Sequence, residues 1–409
     1  MVTTQEVGSA VLKRLYEGDG AHEQMRDFNP TLKQFESSKD DIEGGSTVYF
    51  PLQKQYQQGI GARSEEQDLP VPGKSNYIAC DFPLKKLCFS VQITTSAWMK
   101  SKAKGVASFV DLLTEQGTDV LGGHYRDMNW QLYGDGTGLR TLVNGAVDGP
   151  DDDGVTITVD STKGLFEGML IDFFIPGAAA NNPLQVGAEI TGVDNLNLQI
   201  TVASINQNIP DNSSIYRSGN RDNEIMGMGG FISDLSGPAV VQGITVADQP
   251  TWRANDLDNG GTARDLTRDL LDQAWRAGGS VDQRRPDMVF ASLLQARKYA
   301  MTQVFKDQYE KSDKGGRITL DAGYEFLKVY NKALVEDDDC PNDRMYFVRT
   351  KGVLKMWALG KPQFVRSPDD KGMWYRLAGK PYFRADGEHF LEFGGYRRNN
   401  QTVLRDLAQ

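Results

Sequence analysis

The chain has 409 residues, 39% of them hydrophobic and 24% charged, with a formal net charge of −10. That length and apolar share allow a sizeable core and two to four folding units. The acidic balance excludes a surface that grips phosphate backbones tightly, because nucleic-acid binders gather Lys and Arg to release counterions.

Near the N-terminus, Val7, Ala10, Val11 and Leu15 space a short helix that Asp27-Phe28-Asn29-Pro30 interrupts, since the residue before a proline is pushed out of the helical region. Residues 1–45 read as an arm more than a domain. Thr47 to Tyr56 is rich in β-branched and aromatic residues, and Tyr77 to Thr95 answers it as a second strand-like run. Pro51 and Pro83 confine these strands to edges or bulges. Between them, Gln57 to Asn76 is a polar loop punctuated by Gly59, Gly61, Pro70, Pro72 and Gly73. Loops longer than ~12–15 residues are uncommon in compact domains and are usually functional or disordered. A protruding hairpin over 46–96 that reaches a neighbour explains both its length and its polarity. Its charged candidates for contact are Lys54, Arg63, Glu65, Glu66, Asp68 and Lys74, where charge complementarity would set partner and register more than affinity.

Val106, Phe109, Val110, Leu113, Gly117, Val120, Leu121, His124/Tyr125, Met128 and Leu132 recur at three- and four-residue steps. This predicts one amphipathic helix from Val106 to Leu132, about 40 Å long at ~1.5 Å rise per residue. It runs into Tyr133-Gly134-Asp135-Gly136-Thr137-Gly138. That run lacks a Gly-Lys-Ser/Thr ending and follows a helix where a phosphate loop should open one, so it reads as a cap and tight turn. Val155 to Arg217 then changes character, with short strands between Gly, Asn, Asp and Pro turns. They predict a small closed or nearly closed β unit inserted into a mixed domain, with 141–220 as its outer limits.

Thr262 to Ala277 is a second amphipathic helix, stopped by Gly278-Gly279. Pro286 to Ala291 is a strand leading to Ser292, an N-cap for a helix through Tyr299 and Phe305. Strand-like text returns at Met345 to Arg349, Gly352 to Ala358, Gln363 to Arg366, Trp374 to Leu377 and His389 to Arg398. Trp275, Trp357 and Trp374 read as core aromatics.

No catalytic, cofactor or metal site emerges. Cys80, Cys88 and Cys340 fit neither a disulfide framework nor a zinc knuckle, and His22, His124 and His389 are scattered. Asp151-Asp152-Asp153 and Asp337-Asp338-Asp339 lack the alternation and distal glutamate of a calcium loop and read as solvated charge. No stretch approaches the roughly 18 consecutive apolar residues of a membrane span, and Met1 to Glu6 lacks a signal-peptide layout. No membrane partner and folding in a cytoplasm are the expectations.

The order of these parts resembles the major capsid protein of tailed bacteriophages, the Hong Kong 97-type fold. YGDGTG is similar to the Gly-Asp-Gly turn that often follows that family's spine helix, and PDMVFASLLQARKYA resembles its A-domain strand-helix element. The resemblance implies an α+β fold: N-terminal arm (1–45), E-loop (46–96), P-domain spine helix (97–140, with Val106, Phe109, Leu113, Val120, Leu121, Met128 and Leu132 on its apolar stripe), A-domain (221–340), and C-terminal strands returning to the P-domain sheet (341–409). Residues 141–220 would be a small all-β insertion domain. It implies a non-enzymatic shell subunit that assembles as hexamers and pentamers around packaged double-stranded DNA, folded in the host cytoplasm and located in the virion capsid. Implied partners are further copies of the chain, a portal protein, and a decoration protein where one is used, with packaged DNA only loosely near. Only about forty residues precede the E-loop, so a separate scaffolding protein is expected in place of a fused one. Some members crosslink an E-loop lysine to an asparagine. Lys54 and Lys74 are the available amines here, but the acid and asparagine find no match, and two solvated lysines is the reading kept. Alternatives are an encapsulin-like nanocompartment shell and an α/β hydrolase with a β-rich accessory domain.

Overall fold

The computed structural model describes residues 29–55, 57–96, 112–176, 182–234, 237–279, 285–310, 328–365, 374–376 and 379–409, without side chains at 112–115, 118 and 303–310. The helix expected from Val7 to Leu15, and Val106, Phe109 and Val110 of the expected spine, lie outside these residues, as does the side chain of Leu113.

Thr47–Gln55 and Asn76–Pro83 pair antiparallel from Thr47↔Pro83 to Gln55↔Asn76, with Ile42–Glu43 on the far edge of Thr47–Gln55. At the base the two-residue period puts Val48, Phe50, Cys80 and Phe82 into the central core, where Phe50 stacks on Trp357 with centroids 5.6 Å apart. Beyond Phe50 most of the hairpin's side chains are exposed on both faces. The hairpin therefore leaves the body.

The run Tyr77–Thr95 is not one strand. After Pro83 the chain changes sheet, and Lys85–Thr94 pairs with the long strand Tyr382–Gly395, from Lys85↔Leu391 to Thr94↔Tyr382. The Leu84 N–H bonds back to Ser46 O at 2.8 Å. Proline brings no N–H to a ladder, which suits the residue where one pairing stops and another starts. Tyr382–Gly395 also pairs with Leu354–Ala358, Gln363–Phe364 and Tyr375–Arg376. It begins ahead of the expected His389 because four partners supply its ladder.

The long helix occupies Leu112–Gln131 among the described residues and lies on Lys85–Thr94. Val120 packs beside Val91, Ile93, Phe364 and Trp374, while Met128, Leu132 and Tyr133 enter the central core. Leu121 is half-buried. The stripe also buries Asn129 and Gln131, which hydrophobic spacing does not reveal.

From Leu139 to Arg217 the chain forms a six-stranded antiparallel unit in the order Leu139–Leu142, Ser214–Arg217, Leu170–Phe174, Gln185–Asp194, Gln199–Val202, Val155–Thr158. Its first and last strands meet: Val143 bridges Val159, and Asn144 N–H bonds Thr158 O at 2.9 Å. The sheet is thus closed on itself and has no long free edge. Its core comes wholly from residues 143–215. The unit begins earlier than the expected Val155, because Leu139–Leu142 is the edge partner that Ser214–Arg217 needs. Entry and exit touch, with Asp222 N–H on Thr137 O at 2.9 Å. At the joint Gly138 has φ +80° and a Cβ there would meet Asn220 O at 2.9 Å, so only glycine suits the position.

A clean excision follows from this geometry. Replacing 139–219 by a short Gly/Ser link, with Asp127→Asn and Glu224→Gln to remove the charges left behind, is expected to preserve the helical circular dichroism. Excision of 150–219 alone strands Leu139–Leu142 as an open edge and is expected to aggregate. Equal behaviour of the two would show that the barrel is not a separable unit.

Besides a small hairpin of Val240–Val241 and Ile244–Thr245, a mixed sheet runs in the order Asn255–Leu257, Thr402–Leu404, Met345–Val348, Met288–Ala291, Lys332–Glu336, Lys328–Val329. Helix Arg268–Ala277 starts at its cap Thr267, whose side chain accepts from Leu270 N–H, rather than at the expected Thr262. Ser292 accepts from Gln295 N–H at 3.4 Å and opens helix Leu293–Glu310, as the strand-cap-helix pattern predicts.

Candidate assembly surface

The hairpin loop is a paired tongue. A Cβ on Gly59 would lie 3.3 Å from Pro72 Cα, one on Gly73 2.9 Å from Gln58 N, and one on Gly61 3.4 Å from Pro70 Cγ. Glycine and proline therefore line the seam, which lets the two arms run in contact without a β-ladder. Arg63 closes the tip from inside: its Nε donates to Asp68 O at 2.9 Å and its Nη1 to Ala62 O at 3.1 Å. Lys54, Arg63, Glu65, Glu66, Asp68 and Lys74 are all exposed. So are three apolar side chains that charge-based reading passes over: Ile60 at 88%, Leu69 at 84% and Val71 at 83%. Their signal was present, as apolar residues set between the loop's own glycines and prolines.

In the body of the subunit, three polar clusters tie the elements together. In the first, Thr31 Oγ1 donates to Asp337 Oδ2 at 2.6 Å, and Asn129 Nδ2 donates to Asp337 at 2.9 Å and Asp339 at 2.6 Å. Asp337 is 1% exposed and Asp339 half-buried, so two of the three aspartates expected to be solvated charge are packed inside, and only Asp338 is exposed. Asp337 ties the segment before the hairpin to the long helix. Lys163 of the barrel reaches the same turn through Cys340 O at 2.8 Å and Asn342 Oδ1 at 2.7 Å.

In the second cluster, Arg140 from the barrel's first strand binds Asp127 of the helix and Glu224 beyond the barrel's exit, each at 2.8 Å. Arg217, at the end of Ser214–Arg217 where the chain leaves the barrel, reaches Asp127 at 2.9 Å. Burial works against ionisation of Asp127, but the two guanidiniums outweigh it and hold its pKa below the ordinary value. Both ends of the barrel are therefore clamped to one helical carboxylate.

In the third, His124 Nε2 lies 3.1 Å from His389 Nδ1, and His389 Nε2 lies 3.1 Å from Gly360 O. A carbonyl only accepts, so His389 carries its proton on Nε2 and accepts from His124 Nε2–H. Helix, long strand and the turn after Leu354–Ala358 are linked in one neutral chain. Burial, and then the neighbouring imidazole, lower the His124 pKa to about 4, and burial lowers that of His389. An unfolded imidazole takes up its proton near 6.5. Stability from this pair is thus whole above pH ~6.5 and is lost as pH falls toward about 4. Thermal midpoints measured from pH 7.5 to 4.5 should fall less for His124→Gln/His389→Gln than for the natural chain; parallel curves would place the acid sensitivity elsewhere.

Cys80, Cys88 and Cys340 are free thiols. Among the described residues no group of three or more His, Cys, Asp or Glu is placed to hold a metal, and no helix is long and apolar enough to cross a membrane.

No family model and no curated protein matches the chain. A solved chain from the cyanophage A-1(L) capsid asymmetric unit matches at TM-score 0.58 and 12% identity, covering 100% of both chains. A chain from the capsid of a native GTA particle matches at TM-score 0.50 and 10% identity, over 96% of this chain and 94% of that one. The chain has the Hong Kong 97-type fold. Within that fold, the closed barrel is additional β content, and each of the three polar clusters includes a side chain of the long helix. Identity this low leaves the fold as what is shared, and the polar clusters as properties of this chain.

Proposed function

We propose that this chain is the major capsid protein of a tailed bacteriophage, a non-enzymatic subunit that self-assembles as hexamers and pentamers into an icosahedral shell around double-stranded DNA. The observation that carries the reading is the end-to-end match to a capsid chain, with no part of either left over. A projecting tongue on a rigid frame supports it, because heterologous contacts that close around rotation axes make rings, and arms that overlap neighbours join rings into shells.

In this reading 1–45 is the arm, 46–96 the E-loop, 97–140 the P-domain spine, 141–220 the insertion, 221–340 the A-domain and 341–409 the return to the P-domain sheet. The six charged loop residues and the apolar tongue face neighbouring subunits. A scaffolding protein and a portal protein act as separate chains, a decoration protein is an optional addition, and the subunit folds in the host cytoplasm before joining the virion. A hydrolase finds no support in His124 and His389, whose facing ring nitrogens bond each other while His389 Nε2 bonds Gly360 O.

Electron microscopy and size-exclusion chromatography of the purified chain, alone and with a candidate scaffold, test the proposal. Closed particles of uniform diameter are expected. Small oligomers under every condition would overturn it.

A further inference from the structure

We propose that Ile60, Leu69 and Val71, rather than the charged residues around them, are the side chains through which the loop binds a second copy of this chain. The inference rests on the shell-subunit reading above and assigns that contact its chemistry.

Single exposed hydrophobics are ordinary on protein surfaces. Three within one tongue, each more than 80% exposed, are not explained by the tongue's own packing. Its seam is already filled by Gly59, Gly61 and Gly73 against Pro72, Pro70 and Gln58. With glycine and proline turned inward, the intervening apolar side chains face outward.

The charges are poorly placed to do the binding. Arg63 is committed to the loop's own carbonyls, and exposed carboxylates such as Glu65, Glu66 and Asp68 gain little from ion pairs in water. Contact energy concentrates in side chains that enter a dry pocket, while the charged rim adds little.

The charge balance favours a second copy as occupant. Beyond the Phe50–Cys80 pair, residues 51–79 of the hairpin carry Lys54, Arg63 and Lys74 against Glu65, Glu66 and Asp68, three charges of each sign and so no net charge. The whole chain carries −10. A neutral apolar tongue can approach another acidic copy without like-charge repulsion, whereas a basic partner would call for a net acidic tongue.

The test compares two triple variants in the full chain. One is Ile60→Asn/Leu69→Asn/Val71→Asn, and the other is Glu65→Gln/Glu66→Gln/Asp68→Asn. Each is followed by thermal midpoint, and by sedimentation velocity and electron microscopy over a concentration series at low and high salt. The apolar variant is expected to keep the subunit's midpoint and to need about a thousandfold more protein to form particles, at roughly tenfold for each of the three buried aliphatic side chains lost. Leu69→Ala alone should cost about tenfold. The charge variant should shift the threshold by less than about threefold. A photo-crosslinker at position 69 should yield a product of twice the subunit mass.

Particles from the natural chain together with an unshifted threshold for the apolar variant would overturn this inference and leave the shell reading standing. A lost threshold in the charge variant alone, or a crosslink only within one chain, would overturn it equally. No particles from the natural chain under any condition would overturn both.

Discussion

Met128→Asp is expected to remove the protein from the soluble fraction, or to lower its thermal midpoint further than any other change on the long helix. Met128 is 2% exposed, in the central core with Leu132 and Tyr133. A carboxylate there must either stay charged without water or take up a proton, and both cost several kcal/mol. Native domains hold only about 5–15 kcal/mol in all. Two controls separate charge from shape. Met128→Leu keeps the volume and should cost less than about 1.5 kcal/mol. Asp119→Ala lies on the exposed side of the same helix and should stay within about 0.5 kcal/mol. Soluble yield and midpoint for the three variants check the ordering. If Met128→Asp and Asp119→Ala behave alike, this face of the helix is not buried.

Arg140→Ala is the second large effect. Its guanidinium sits between Asp127 and Glu224 with its side chain 1% exposed and the two carboxylates 16% and 3% exposed. Truncating it leaves carboxylates facing each other in a dry site, and breaking a buried pair in this way costs about 3–5 kcal/mol. Most of that cost is the charge left behind. Arg140→Met combined with Asp127→Asn and Glu224→Gln should therefore recover much of the loss, where an ion pair valuable for its own sake would not allow it. Chemical denaturation of the single and triple variants measures the difference. A triple variant no more stable than Arg140→Ala would show that the salt bridges themselves, rather than their desolvation, hold the barrel to the helix.

Local chemistry was legible wherever one period or one residue type dominates. The helix, its stop at Tyr133-Gly134, the cap at Ser292 and the turn-rich β unit all follow from spacing and turn residues. Thr137 N–H bonds the Asp135 side chain at 3.0 Å, as the cap-and-turn reading of the glycine run requires. The strand-like run Tyr77–Thr95 was legible as β but not as two strands in two sheets, since pairing partners at Thr47–Gln55 and Tyr382–Gly395 are both remote in sequence. The loop was legible as a projecting element through its length, while its apolar triplet was hidden by the charges around it.

The sequence by itself determined the parts and their order: the amphipathic spine, the long loop, the inserted strands and the strand-helix units. These depend on near-neighbour periodicity and backbone preference, which a chain carries locally. Tertiary structure alone decided which polar residues became structural. Asp337 reads as one aspartate of an exposed run until Thr31 and Asn129 close over it. Arg140 is buried because Asp127 and Glu224, 13 and 84 positions away, enclose it. His124 and His389, 265 positions apart, are scattered residues until the spine helix lies across the long strand. Burial of a polar group is favourable only when its partner arrives with it, and those partners are brought together by the packing of elements that no local pattern encodes.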